Sequence, residues 1–437
     1  MSEPARPRDE FRQAARLSEP LHPERVSFAR TFDALRDRNF QWFFASLMGN
    51  FSSMNIQMFI RGWLVFELTG SYESLGLISL ANGLSGLVLA IAGGIIADRA
   101  RQKKHVVQVC QGLNALTALS VGLLIAYGRL EFQHLFIAAL VQGGVMTLMM
   151  PSRQALTPDV VGMRRLTNAI ALNTSGMNAA RLLMPSLAGW FMAALQEEPG
   201  TIDGAQYIYF AMCGLYLWSI VGLLPVRIAD RVRPPGKRSS PVQELVEGFR
   251  YVAHTPVIRL LLACNFLMVL FSMTYFMLLP GFAKQVLDTG PAGLGVLVSS
   301  SGVGSLIGSL VIASLPNRRR GLVLLLSAML VGVGLVAFSA SNSYWLSVLL
   351  LGVVGLGQAG RMSLSNILIQ SHVEDAYRGR VMALYMMEFS LMSVSVFLVG
   401  ILASEIGPQL AVGLSAVGLL LLVSFLLLFS PRYRGLD

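Results

Sequence analysis

The sequence predicts an all-α integral-membrane fold of about twelve transmembrane helices, arranged as two pseudo-symmetric six-helix bundles. Three observations predict it. Of the 437 residues, 54% are apolar and only 13% charged, with a mean hydropathy of +0.61. A soluble domain carries about a quarter charged residues, so lipid must surround most of this chain. Apolar runs of about 20 residues, the length that crosses a bilayer as a helix, recur from end to end. Lys and Arg gather in the tails and in alternate loops, as the positive-inside rule requires of a multi-pass chain.

Taken in order, residues 1–38 are polar and Arg-rich, lack the apolar core of a signal peptide, and read as a cytoplasmic tail. Its end, from Phe28 to Phe40, has the pattern of an amphipathic helix lying on the membrane surface. An N-terminal six-helix bundle over 39–228 follows, with spans at 40–66, 74–97, 105–127, 132–150, 168–195 and 207–228. Residues 229–256 form a cytoplasmic linker. Its first part is rich in Pro and Gly, and the pattern from Val242 to Val252 predicts an amphipathic helix. The C-terminal bundle over 257–430 has spans at 257–280, 291–315, 321–341, 343–370, 381–404 and 408–430, and 431–437 is a short cytoplasmic tail. Several spans carry Gly, Ser or Asn, as helices lining a cavity do.

The basic clusters are the N-terminal tail, Arg99 to Lys104, Arg153 to Arg165, Arg227 to Arg259, Arg318 to Arg320, Arg378 with Arg380, and Arg432 with Arg434. The opposite loops hold only Arg129 and Lys284, beside Glu73, Glu131, Glu197, Glu198, Asp203 and Asp288. This bias places both termini in the cytoplasm and supports an even helix count. The net charge of +10 is thus a topology signal, and its dispersal excludes a nucleic-acid partner. Cys110, Cys213 and Cys264 stand singly inside apolar runs, and the five histidines have no ligand spacing, so no metal is expected. Without a phosphate-binding loop, ATP-driven transport has no support; the Gly302, Gly304, Gly308 run lies inside a span and reads as helix packing.

The halves repeat weakly. Asn50-Phe51 matches Asn265-Phe266, Gly94 matches Gly308, and Arg165 matches Arg380, all at an offset of roughly 215 residues. A shared offset points to a duplicated six-helix unit, the architecture in which two halves rock about a midplane site.

The stretch Gly94-Ile-Ile-Ala-Asp98-Arg99-Ala-Arg101-Gln-Lys103-Lys104, after the second span, resembles the loop signature of the major facilitator superfamily, with Arg101 in place of a second Gly. Physically, it puts an acid where it can cap a helix N-terminus in the other half. The segments 63–71 and 75–78, 151–161, 168–173 and 180–185, and Arg378-Gly-Arg380-Val-Met are similar to the enterobactin-exporter and macrolide-efflux branch. That resemblance implies the major facilitator fold and no enzyme activity. It also implies export of siderophores, macrolides or similar amphiphiles, driven by an ion gradient, across the inner membrane. The implied partners are a small-molecule substrate, the lipid bilayer and H+, with no cofactor and a monomeric chain. Ala139 stands where proton-coupled relatives have an Arg before the pair matching Gln142-Gly143. A non-transporting membrane receptor or regulator on the same scaffold, or an importer of the same fold, is the alternative.

Charges within a span suggest function. Four are present: Arg61, Arg181, Arg361 and Glu388. In the family arrangement, spans 1, 4, 7 and 10 line the cavity, 2, 5, 8 and 11 flank it, and 3, 6, 9 and 12 face lipid. The expected cavity residues are Asn50, Asn55, Gln57, Arg61, Gln142, Arg181, Asn265, Tyr275, Gln358, Arg361 and Glu388, a set with a basic bias suited to anionic or zwitterionic groups. Helical spacing lets about two-thirds of them face a central space at once. Arg61 and Arg181 have the alternative of snorkelling or of structural pairing. The expected cytoplasmic gate is Gly94, Asp98 and Arg99 with Arg153, Arg378 and Arg380. Arg361 and Glu388 lie at similar depth on sequential spans and are expected to pair. The pair either locks the two helices together or makes Glu388 a proton-coupling site.

Overall fold

The structure, a computed structural model, describes residues 33–99, 103–162, 165–196, 202–228, 241–315 and 318–436. The N-terminal tail before residue 33, the Pro- and Gly-rich part of the linker, Glu197 and Glu198 lie outside the described residues. So do the side chains of Gly94, Asp98 and Arg99, although their backbone is helical.

Six long helices come first: α1 (Arg38–Thr69), α2 (Tyr72–Arg99), α3 (Lys103–Ala126), α4 (Phe132–Val161), α5 (Leu166–Leu195) and α6 (Ala205–Leu223). The linker helix α7 (Pro241–His254) leads into α8 (Pro256–Ser272), α9 (Thr274–Gln285), α10 (Pro291–Ser314), α11 (Arg320–Ser339), α12 (Tyr344–His372), α13 (Arg378–Met386), α14 (Glu388–Ile406), α15 (Pro408–Phe429) and the short α16 (Pro431–Arg434). Nine described helical segments are long and apolar enough to cross a membrane, α8 with α9 and α13 with α14 each counting as one. With α1, α2 and α5, which are 32, 28 and 30 residues long, they make the expected twelve traverses.

Local chemistry sets the boundaries. The Asp37 carboxylate accepts from the Asn39 N–H at 2.9 Å and starts α1. Gly70, at φ 62°, ends it in the left-handed conformation with its N–H on Phe66 O. Pro256, Pro291 and Pro408 open α8, α10 and α15, where a missing N–H costs nothing.

The expected seventh and eleventh spans are each one helix in the sequence pattern but two in the structure. The seventh breaks at Met273, the eleventh at Met387. Neither residue is a proline. At Met387 the hydrogen-bond ladder tightens, with its N–H on Leu384 O at 3.0 Å. At Met273 the Gln358 amide donates to the thioether sulfur at 2.9 Å. Irregular backbone at membrane depth survives only where protein or a polar cavity surrounds it, so both breaks mark special positions.

α1–α6 pack among themselves, as do α8–α15; the halves meet mainly along α2 with α14 and α5 with α10. Small residues allow this. A Cβ on Gly76 would come within 2.8 Å of Phe397 Cα, and one on Gly295 within 2.7 Å of Pro185 O. The end remote from the linker is tied across the halves: Lys284 pairs with Glu67 at 2.7 Å, Tyr72 OH donates to Gln285 at 3.0 Å, and Glu73 N–H donates to Ser404 at 3.1 Å. At the linker end, α7 clasps the start of α13. Arg380 meets Glu247 at 3.0 Å, and Tyr251 stacks on Tyr377 with ring centres 4.3 Å apart.

Candidate functional site

In the second half, three helices bring polar groups to one depth. Counted from Pro256, His372 and Arg378 at ~1.5 Å per residue, Asn265, Arg361 and Glu388 each lie about 15 Å from the linker end. All three are buried, Arg361 to 1% exposure. Glu388 opens α14 directly after the Met387 break, where the helix dipole favours a carboxylate.

Arg361 and Glu388 do not form the direct pair expected from their depth. Asn265 stands between them. Its Nδ2 donates to Glu388 Oε2 at 2.9 Å, and its Oδ1 accepts from Arg361 Nη1 at 3.3 Å. The correction has a simple cause: α8 supplies an amide with a donor on one side and an acceptor on the other. Arg361 Nε also donates to Gln358 Oε1 at 3.1 Å, while its Nη2 has no hydrogen-bond partner. Tyr385 lies beside Glu388 and Asn366.

The first half holds a parallel cluster. Arg153 is buried between α1, α3 and α4, with Phe51 beneath its guanidinium at 4.5 Å. A guanidinium only donates, so the Asn50 amide oxygen faces it, accepting at 2.5 and 3.1 Å; the other side of that amide meets Gln111. Arg153 therefore sits inside the first bundle, on Asn50 rather than on another helix's charged end. Nearer the far end, Arg61 Nη1 donates to Gln142 at 2.7 Å, and Tyr216 OH donates to Gln57 at 2.8 Å. No carboxylate salt bridge holds Arg61 or Arg153 among the described residues. Asn55 turns back to Phe51 O on its own helix.

A third group straddles the halves. Tyr275, in the first turn after the Met273 break, lies 3.4 Å from the Ser301 hydroxyl and feels the charge of Arg181 on α5. Arg181 is half-buried and has neither a hydrogen-bond partner nor a carboxylate among the described residues. Next to it, the Ser299 hydroxyl donates to Leu182 O at 2.6 Å and lies 2.7 Å from Ser186. Of the expected gate residues, Arg380 is held by α7, and Arg378 pairs with Asp375 on the exposed loop. The gate partners on α2 lie outside the described side chains.

The expected cavity residues thus take part in separate sets of contacts. They divide into a first-half group, a second-half group and a seam group. Sequence reasoning passed over Gln111 and Tyr216, because their helices were expected to face lipid; a buried amide in mid-span was the available signal. It also missed both helix breaks, for which Met273 and Met387 carry no local sign.

Comparison with known proteins follows the same lines. Residues 29–434 match the family model described as transmembrane secretion effector. The staphyloferrin A transporter of Staphylococcus aureus is 21% identical over 370 residues, covering 84% of this chain and 90% of that protein. The enterobactin exporter EntS of Escherichia coli O1:K1 is 24% identical over 371 residues, covering 84% and 86%. Among solved structures, a mutant of the nucleoside transporter NupG superposes with a TM-score of 0.72 at 14% identity, over 90% of this chain and all, 100%, of that one. A bacterial homolog of the lysosomal transporter Spinster, inward-facing and occupied, gives 0.69 at 12% identity, over 90% and 97%. These structural likenesses speak for the fold.

Proposed function

Because the chain belongs to the transmembrane secretion effector family, within the major facilitator superfamily, we propose that it exports small amphiphilic molecules bearing an anionic group. Export proceeds by alternating access of a monomer in the inner membrane, with the termini and linker in the cytoplasm. A proton gradient drives it, and Glu388 is the coupling carboxylate. Membrane transport itself follows from the family, whose members and fold neighbours are transporters rather than enzymes.

The observation that carries the reading is the charge distribution. Arg181 stands in the seam between the halves with no acid beside it among the described residues, and Tyr275 across the seam feels its charge. An uncompensated cation at mid-membrane is costly, and the cost is recovered when an anionic cargo binds there. Among the described residues, Glu388 is the one carboxylate buried at mid-depth, at a helix break, on the half whose helices are interrupted. The names of the relatives support siderophore-like cargo. The far-end contacts across the halves support a state open toward the cytoplasm.

The test is a susceptibility screen of a strain lacking the protein, with siderophores and drug-like compounds. Export by everted vesicles, with and without an imposed pH gradient, follows for any hit. Arg181→Gln should lower export of anionic hits about tenfold, the order of one lost charge-assisted contact of ~1.5 kcal/mol, with unchanged protein yield. Equal export of anionic and neutral cargo by wild type and variant would overturn the substrate class.

A further inference from the structure

We propose that Asn265 is a positioning residue whose side-chain amide transmits the protonation state of Glu388 to Arg361. The inference rests on Glu388 being the coupling carboxylate, as above, and adds the element that makes its proton felt by a neighbouring helix.

The argument is one of hydrogen-bond polarity. Arg361 offers only donors, so the Asn265 oxygen must face it, as it does at 3.3 Å. The amide nitrogen is thereby committed to Glu388, at 2.9 Å. This arrangement suits an ionised Glu388, which accepts at both oxygens. A proton taken up by Glu388 from water changes two things. It removes the negative charge that balances Arg361, and it turns one carboxyl oxygen into a donor. If that donor is to be satisfied by Asn265, the amide must rotate and present its NH2 to Arg361. Two donors then face each other, and the guanidinium must leave. Its hold is already incomplete, since Nη2 has no partner and its remaining bond is Nε to Gln358. Gln358 in turn holds the sulfur of Met273 at the helix break. A proton on α14 is thus connected, through α8 and α12, to the hinge between α8 and α9.

Among the described residues, the other titratable groups around this chain of contacts are few. Tyr385 on α13 faces Glu388, and Tyr433 on α16, with Cys264 of α8 beside it, faces Arg361. Across the seam, α2 approaches α14 with Gly83 against Ser390 and Ser393, which do not titrate. Glu388 is therefore the group among these whose charge changes in the acid range.

The experiment is hydrogen–deuterium exchange of the full chain in lipid nanodiscs at pH 5 and pH 8, corrected for the intrinsic pH dependence of exchange. The peptides read are those covering 265–273 and 358–365. In wild type, corrected exchange of both should rise about tenfold at the lower pH, the size of one unit of linked protonation. Asn265→Ala should exchange fast at both pH values, because Arg361 has lost its acceptor. Asn265→Asp combined with Glu388→Gln should exchange slowly at both, because a carboxylate then holds Arg361 directly and the amide introduced at 388 donates to its other oxygen. Glu388→Gln should show the low-pH pattern throughout. Two variants flat at opposite levels distinguish transmission from mere structural damage. A wild-type pH response that persists in Asn265→Ala overturns the inference while leaving Glu388 as the coupling site. A wild type with no pH response in these peptides overturns it as well. Export from everted vesicles that ignores the pH gradient overturns the functional reading itself.

Discussion

The two halves of the molecule use the same device and finish it differently. Each sets an Asn on its first helix against an Arg on its fourth: Asn50 with Arg153, and Asn265 with Arg361. In the first half the far side of the amide meets Gln111; in the second it meets Glu388. The backbone differs in the same sense. α1 runs unbroken for 32 residues, while its counterpart is split into 17 and 12. α5 runs for 30, while its counterpart is split into 9 and 19. An amide cannot take up a proton, and α1 and α5 run without the interruptions of their counterparts, although Pro185 lies inside α5; on the proposed mechanism the first half serves as the frame. The acid and both interruptions belong to the second half. The two halves thus share an Asn–Arg contact and differ in what stands behind it, an amide in the first and a carboxylate next to a helix break in the second.

Removing each arginine is the severest way to test this contrast. Arg361→Met leaves the Glu388 carboxylate buried without its cation, a loss of about 3–5 kcal/mol. Adding Glu388→Gln to the same chain should restore most of it. Arg153→Met leaves only neutral amides behind among the described residues, at a cost of about 1–3 kcal/mol, and none of these is an acid whose removal would compensate. Unfolding in detergent micelles measures both. Equal losses, with no rescue by Glu388→Gln, would mean that the halves are energetically alike.

The next contrast concerns response rather than stability. Glu388→Gln should abolish the dependence of export on an imposed pH gradient, because no proton remains to be exchanged at that site. Gln111→Ala, the matching change in the first half, should leave the dependence intact even if it slows export. Everted vesicles read both. Full pH-gradient response in Glu388→Gln would leave that carboxylate a structural lock between α8, α12 and α14.

How much of this was legible in the sequence follows from what kind of signal each feature leaves. Twelve traverses were legible because the bilayer imposes one length and one polarity on every span. Asn50, Arg61, Asn265, Arg361 and Glu388 were legible because a polar side chain at membrane depth is rare enough to be noticed singly. Their partners were not. Whether Arg361 reaches Glu388 or Asn265 depends on the rotation of three helices about their axes, which hydropathy does not encode. The breaks at Met273 and Met387 left no mark, because neither proline nor glycine causes them; polar contacts from neighbouring helices accompany them. Arg153 read as a loop charge because α4 runs on to Val161, a further turn and more beyond the apolar run that ends near Met150.

The smallest expected effect lies where the two halves are fastened at the end remote from the linker. Lys284, on the last turn of α9, reaches Glu67, near the end of α1. The side chain of Glu67 is 6% exposed and that of Lys284 is 41% exposed, so solvent screens the pair from one side. Pairs of this kind contribute about 0–1 kcal/mol. Lys284→Met should therefore shift the balance toward a far-end-open state by no more than about fivefold. A cysteine in place of Phe66, whose ring lies against Gly281 and Tyr72 in the seam, reports that opening through its labelling by a membrane-impermeant maleimide. The three native cysteines, two buried and one half-buried, serve as the background. Labelling should rise two- to fivefold in Lys284→Met, rise further in Glu67→Lys, where two cations face each other, and return toward wild type when Glu67→Lys is combined with Lys284→Glu. Recovery in the swapped pair is the deciding result, because it keeps both charges while exchanging their helices. If the swap labels as fast as Glu67→Lys alone, the fastening runs through the Tyr72–Gln285 hydrogen bond, and the ion pair only follows it.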